Sequence, residues 1–281
     1  KYIFVREINT MHGQNFLLNQ PLAIDKSYLM SLVPNFILGY KQNSFLSAEK
    51  IDEKFLSKIN SQYDAATNSG ANKYPVVIEI IGPIVKYSDW YYTGTQTILN
   101  VLKSIEANEN VSGVIFKIDS GGGMAWGTPE LANYIFNMEK MTIGYTNGLA
   151  CSAALWIMAA CKLRIASPYA NWIGSIGTFL SYQDFSALFE KYGAKIYEIY
   201  APESTEKNMD FRELMKGNEK PYEASLKVTN DLFISNIKTF YGESLQDDTH
   251  VFKGKVYTPS EAKKIGLIDE IGTFEDAISK F

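Results

Sequence analysis

Residues 74–281 read as an α/β domain built on a mainly parallel sheet. Three observations predict this. Short β-branched apolar runs recur, helical apolar spacing fills the intervals between them, and Gly, Pro or capping residues punctuate the joins. Val76–Ile81 is the first strand, closed by Gly82-Pro83. Ile98, Leu99, Leu102 and Ile105 give a helix over Thr95–Ala107. Val114–Ile118 is a second strand running into Ser120-Gly121-Gly122-Gly123, and Thr128-Pro129 opens the next helix with Thr128 as N-cap. Met141–Tyr145 is a third strand, followed by a small-residue helix around 151–161. Leu163–Ala166 and Ile196–Tyr200 are a fourth and fifth strand, with a helix at Tyr182–Lys191 between them. A long helix covers about 219–241. Thr258-Pro259-Ser260-Glu261 is a capping box whose helix stops at Gly266.

The first 73 residues differ. Residues 21–40 have no clean period and contain Pro21 and Pro34. Residues 47–66 place Ile51, Phe55, Ile59 and Tyr63 on one helical stripe. The polar stretch Thr67–Lys73 reads as a linker, so the expected division is an N-terminal extension (1–73), partly helical, and a domain (74–281).

Composition narrows the function. With 46% hydrophobic and 14% aromatic residues in 281, the chain can bury a large core without staples. A net charge of −4 argues against a protein that grips nucleic-acid phosphates. Cys151 and Cys161 cannot make a disulfide framework, and free buried cysteines behave as small hydrophobes. The two histidines and two cysteines show no ligand spacing, so neither a metal nor a cofactor is expected. No run approaches the roughly 18 apolar residues of a membrane span. The chain starts at Lys1 without an initiator Met, which leaves room for a trimmed upstream signal or anchor. Membrane association is therefore left open.

A parallel sheet places ligands beyond the carboxyl ends of its strands. Two loops fall there. Gly121-Gly122-Gly123 can turn backbone N–H groups toward a phosphate or an oxyanion, or can simply make a tight turn. It fits neither the dinucleotide pattern, since Trp126 stands where a third glycine is needed, nor the Walker pattern. Ser152 opens a helix of small residues, where the N-terminal end favours developing negative charge. A serine nucleophile needs a base. His12 and His250 sit in no triad-like pattern, which leaves a lysine made neutral by burial, or no catalysis at all.

Taken together the motifs resemble the signal peptide peptidase A family of serine proteases and its phage capsid-maturation relatives, over roughly Tyr74 to Phe281. Ser120-Gly121-Gly122-Gly123 is similar to the family's Ser-Pro-Gly-Gly loop, and Cys151-Ser152-Ala153-Ala154-Leu155-Trp156 to its Ala-Ser-Gly-Gly-aromatic stretch. Gly174-Ser175-Ile176-Gly177 is intact. The closing pattern runs Tyr257-Thr258, Ala262, Gly266-Leu267, Asp269, Ile271-Gly272. The departures are Gly121 for Pro and Ala153-Ala154 for Gly-Gly.

The resemblance implies a crotonase/Clp-protease-like fold and a Ser–Lys dyad. Ser152 would be the nucleophile. Lys207, in Ser204-Thr205-Glu206-Lys207-Asn208-Met209, takes the place of the base, with Lys195 and Lys216 as alternatives. Gly122, Gly123 and Ala153 would donate to the oxyanion, and Ser175 matches an accessory hydroxyl. The implied partners are a peptide or protein substrate, lying extended beside the glycine loop, and further copies of the chain in a ring or bowl that shares the dyad between protomers. Signal-peptide remnants and phage capsid or scaffold protein are the two substrate settings, with a cytoplasmic or phage-associated location, or a membrane-anchored one if an anchor was trimmed. Two other readings remain: an inactive protease-like assembly protein and a crotonase-type acyl-CoA enzyme.

Overall fold

The structure is a computed structural model, and it describes residues 22–24, 47–89, 91–182, 184, 186–193, 197–246 and 249–281. His12, Lys195 and the first residue of the expected fifth strand, Ile196, lie outside the described residues.

Strand β1 (Leu22–Ile24) precedes helix α1 (Ala48–Asn68). Helix α1 is capped by Ser47 Oγ and buries Ile51, Phe55 and Ile59, the stripe its sequence predicts. It lies on β2 (Tyr74–Ile81). There the Gln62 side chain donates to Val77 O at 2.9 Å and accepts from Val77 N at 2.8 Å. A side-chain amide thus satisfies the outer groups of an edge strand.

Helix α2 (Thr95–Glu106) crosses from β2 to β3 (Val111–Ser120), and a short strand β4 (Gly122–Met124) follows at once. Helix α3 (Thr128–Asn137) then leads to β5 (Met141–Cys151), and α4 (Ala153–Ala159) to β6 (Leu163–Ala166). Strand β7 (Trp172–Gly174), helices α5 (Ser186–Lys191), α6 (Met209–Met215) and α7 (Lys220–Tyr241), strand β8 (Val256–Tyr257), α8 (Pro259–Lys264), β9 (Glu270–Ile271) and α9 (Phe274–Ile278) complete the order.

The main sheet runs β2-β3-β5-β6-β9 with every pair parallel. The mainly parallel α/β architecture is therefore the one the sequence predicts. On the edge away from β3, strand β5 serves two partners. Ile143–Thr146 pairs with β6, while Leu149–Cys151 pairs with β7, which in turn meets β8 antiparallel. Helix α4 is buried at every position and packs against α3, β3, β4, β5 and α7. Trp156 of α4 stacks on Phe233 of α7, ring centroids 4.2 Å apart, and its Nε1 donates to Asn236 Oδ1 at 3.1 Å.

Several expectations need correction. Thr128 is not the N-cap of α3. Gly127 takes that place, and the Thr128 hydroxyl instead donates back to Met124 O at 2.8 Å. The third strand continues six residues beyond Tyr145, because Asn147 and Gly148, ordinary turn signals, are spanned by pairing with β7 on one side and Ser120 on the other. Helix α5 begins at Ser186, not Tyr182, and residues 197–200 carry no strand.

Candidate active site

Ser152 stands at the junction of β5 and α4. Its backbone is at φ 56°, ψ −121°, a conformation that costs a residue with a side chain on the order of 1–3 kcal/mol. The surroundings hold it there. Its N–H donates to Gly174 O at 2.8 Å, and its C=O accepts from Trp156 N at 2.9 Å to start the helix. The hydroxyl donates to Gly177 O at 3.4 Å, and the residue is only 1% exposed.

The segment that receives these bonds is the intact Gly174–Gly177 motif. Gly174 sits at φ 134°, and Ser175 is itself at φ 58° with its N–H on Lys255 O at 2.8 Å. Beyond Gly177 opens a groove of about 770 Å³ lined by Ser175, Phe179, Leu226, Asp231 and Phe252 among others. The carbonyls of Gly174 and Gly177 are contributions to the site that the sequence reading passed over. The signal was present, since both glycines belong to a motif from which only Ser175 was singled out.

The glycine loop lies alongside, because Ser120 at the end of β3 pairs with Ala150 of β5 and β4 packs against α4. Gly122, at φ 103°, gives its N–H to Ser120 Oγ at 3.1 Å and its C=O to Ile84 N at 3.0 Å. Met124 N donates to Ile84 O at 2.8 Å. Gly123 must be glycine, since a Cβ there would overlap the backbone of Ile84. Ala153, the first residue of α4, has the orphan N–H of a helix start.

Lys207 is elsewhere in the chain's surface. It is exposed in a turn at 205–208, and its side chain makes no hydrogen bond or ion pair among the described residues. The Ser152 hydroxyl makes no hydrogen bond to a lysine among the described residues. Lys216 caps the end of α6 and pairs with Glu213 at 2.8 Å. Asn208, next to Lys207, is at φ 53°. Among the described residues the three non-glycine positive-φ positions are thus Ser152, Ser175 and Asn208, each in or beside a motif singled out from sequence.

Two other singled-out residues are structural. Asp269 of the closing motif receives Arg164 Nε at 2.8 Å, Nη2 at 2.9 Å and the Arg164 backbone N–H at 2.7 Å. Arg164 also lies 4.5 Å from the centroid of Tyr241, which locks β6, β9 and α7 together. Burial pushes the Cys161 thiol well above its ordinary range, so it stays an unreactive SH. His250 stands just before the turn Val251–Lys253. Among the described residues, no group of three or more His, Cys, Asp or Glu is placed to hold a metal. Nor is any helix long and apolar enough to cross a membrane.

Residues 136–281, just over half of the chain, match the model of peptidase family S49. The chain belongs to peptidase family S49. The matched stretch contains Ser152, Ser175, Lys207 and the closing motif, whereas the glycine loop lies before it. The S49 chain is 29% identical over 268 residues to a protein of Enterococcus faecium provisionally named signal peptide peptidase SppA, covering 90% of this chain and 75% of that one. It is 27% identical over 184 residues to a provisionally named protease of Methanocaldococcus jannaschii, 65% of this chain and 59% of that one. It is also 27% identical over 191 residues to capsid assembly protease C of Escherichia phage lambda, 66% of this chain and 43% of that one. The S49 chain thus spans less than two thirds of the archaeal and phage relatives.

Proposed function

We propose that the chain is a serine endopeptidase that cleaves extended peptide segments through an acyl-enzyme, with Ser152 as nucleophile and Lys207 as base. The observation that carries this reading is Ser152 itself. A serine held at a costly positive φ, on a strand-to-helix turn, above a helix start and beside a glycine strand, is the geometry an acyl-transfer nucleophile needs.

The steps are as follows. The neutral lysine takes the Ser152 Oγ proton as Oγ bonds to the peptide carbonyl carbon. The oxyanion is held by backbone N–H groups, that of Ala153 at the helix start and that of Gly123 once its pairing with Ala23 is released. Gly122 joins them only if its N–H leaves Ser120 Oγ. The lysine then protonates the departing amine, the C–N bond breaks, and water hydrolyses the Ser152 ester with the lysine again as base.

Lys207 is exposed and makes no hydrogen bond to the Ser152 hydroxyl among the described residues, which supports a dyad shared between copies. The segment carrying Lys207 exposes Tyr197, Ile199 and Met209, apolar surface suited to a neighbouring protomer. A lysine serves as a base when desolvation favours its neutral form, and burial between copies supplies that. Accessory Ser175 and the groove beyond Gly177 then receive the substrate on one side, and the glycine strand receives it on the other. Removal of signal-peptide remnants and maturation of a phage head are the two settings the relatives' names suggest. The second, with a cytoplasmic or phage-associated location, is favoured slightly.

Intact-mass spectrometry after fluorophosphonate treatment tests the reading. One adduct on the assembled chain, lost in Ser152→Ala, is expected, and Lys207→Ala should slow its formation at least about a hundredfold, the usual weight of a general base. An assembled chain that takes no adduct is instead the inactive assembly protein or the acyl-CoA enzyme, which calorimetry with CoA separates.

A further inference from the structure

The glycine strand is already occupied. Leu22–Ile24 of β1 pairs antiparallel with Gly122–Met124 of β4, in the register Leu22 with Met124, Ala23 with Gly123 and Ile24 with Gly122. The opposite edge of β4 is committed to Ile84, through Gly122 O and Met124 N. Backbone groups of successive strand residues point to alternate edges. The N–H and C=O of Gly123 therefore face Ala23, so the contact with β1 uses the one edge of β4 that remains.

We infer that the Leu22–Ile24 segment is an intramolecular ligand of the substrate-binding edge, which a substrate peptide must displace. This rests on the peptidase reading for the identity of the competitor, and on the strand pairing for the site. Gly122 and Gly123 offer that edge no side chains, so recognition there is by backbone and accepts peptides of many sequences. A three-residue strand preceded by Pro21, which has no N–H to donate, pairs over a short length and is displaceable. The N-terminal extension thereby gains a role that the catalytic domain alone does not assign: it sets how readily the edge is open. If β1 is docked about nine-tenths of the time, apparent affinity for any competing peptide falls about tenfold.

The test uses the full chain in a Ser152→Ala background, so that binding is read without turnover. Ala23→Pro is added to remove the N–H that faces Gly123. The probe is a fluorescent peptide of residues 20–26, Gln-Pro-Leu-Ala-Ile-Asp-Lys, followed by anisotropy. Binding about tenfold tighter to the double variant than to Ser152→Ala alone is expected. Equal affinity for the two, or no binding to either, overturns the inference. Fluorophosphonate labelling of Ala23→Pro with Ser152 intact runs alongside. Failure to label counts against the peptidase reading and leaves the binding comparison standing.

Discussion

The Ser152 N–H reaches the Gly174 carbonyl at 2.8 Å, a bond between the end of β5 and the end of β7 that fixes the turn on which the serine stands. Both residues have positive φ, 56° and 134°. The two strands end together, and the bond closes the corner.

The strain at Ser152 is measurable. Ser152→Ala keeps the costly backbone, whereas Ser152→Gly relieves it and gives back part of the gain through a more flexible unfolded chain. Ser152→Gly should therefore unfold in urea about 1 kcal/mol later than Ser152→Ala. Equal stabilities would mean the φ of 56° carries no strain.

Gly123 approaches Ile84 too closely for any side chain. Gly123→Ala should destabilise the chain by about 1–3 kcal/mol through forced overpacking. It should also slow labelling of Ser152, because the strand beside it has to shift. Unchanged melting and labelling would show that β4 and Ile84 separate freely.

Arg164 and Asp269 form a pair with the arginine side chain 9% exposed and the aspartate 30%. Asp269→Ala leaves the guanidinium unpaired between β6 and α7, a loss of about 3 kcal/mol. The check is chemical denaturation. A loss below 0.5 kcal/mol, the usual size of a surface pair, would place the bridge among the solvated ones.

Cys161 is 3% exposed, and burial raises its thiol pKa. Since the thiolate is the reactive form, raising the pH to about 9 should not expose Cys161 to iodoacetamide in the folded chain, although denaturant should. Peptide mapping distinguishes Cys161 from Cys151. Native-state alkylation at Cys161 would contradict its burial.

Much of the sheet was readable because its strands carry β-branched apolar residues: Val114, Ile115 and Phe116 of the inner strand are buried on both faces, whereas the edge strand buries alternate positions, Val76, Ile78 and Ile80. The amphipathic stripe Ile51, Phe55, Ile59 was equally plain. What escaped depends on tertiary partners. Strand β1 is too short to show a period and exists because it meets a glycine edge. The extension of β5 through Asn147 and Gly148 overrides local turn preference. Thr128 was read as a cap because local chemistry favours it there, while Met124 O claimed its hydroxyl. At the site, the type and position of Ser152 and Ser175 were legible. The carbonyl partners of Ser152 lie in the same intact motif as Ser175, but a carbonyl belongs to every residue, so which of them it bonds is set by the fold.

The change of partner along β5 makes that strand a ruler. Its first half is registered against β6 and its last three residues against β7, so the interval from Thr146 to Leu149 sets where the serine is delivered relative to both layers. Because side chains alternate along a strand, losing one residue in this interval would turn the end of the strand by half a pleat. Length between those two registrations, more than the identity of Asn147 or Gly148, is what the chain has to preserve.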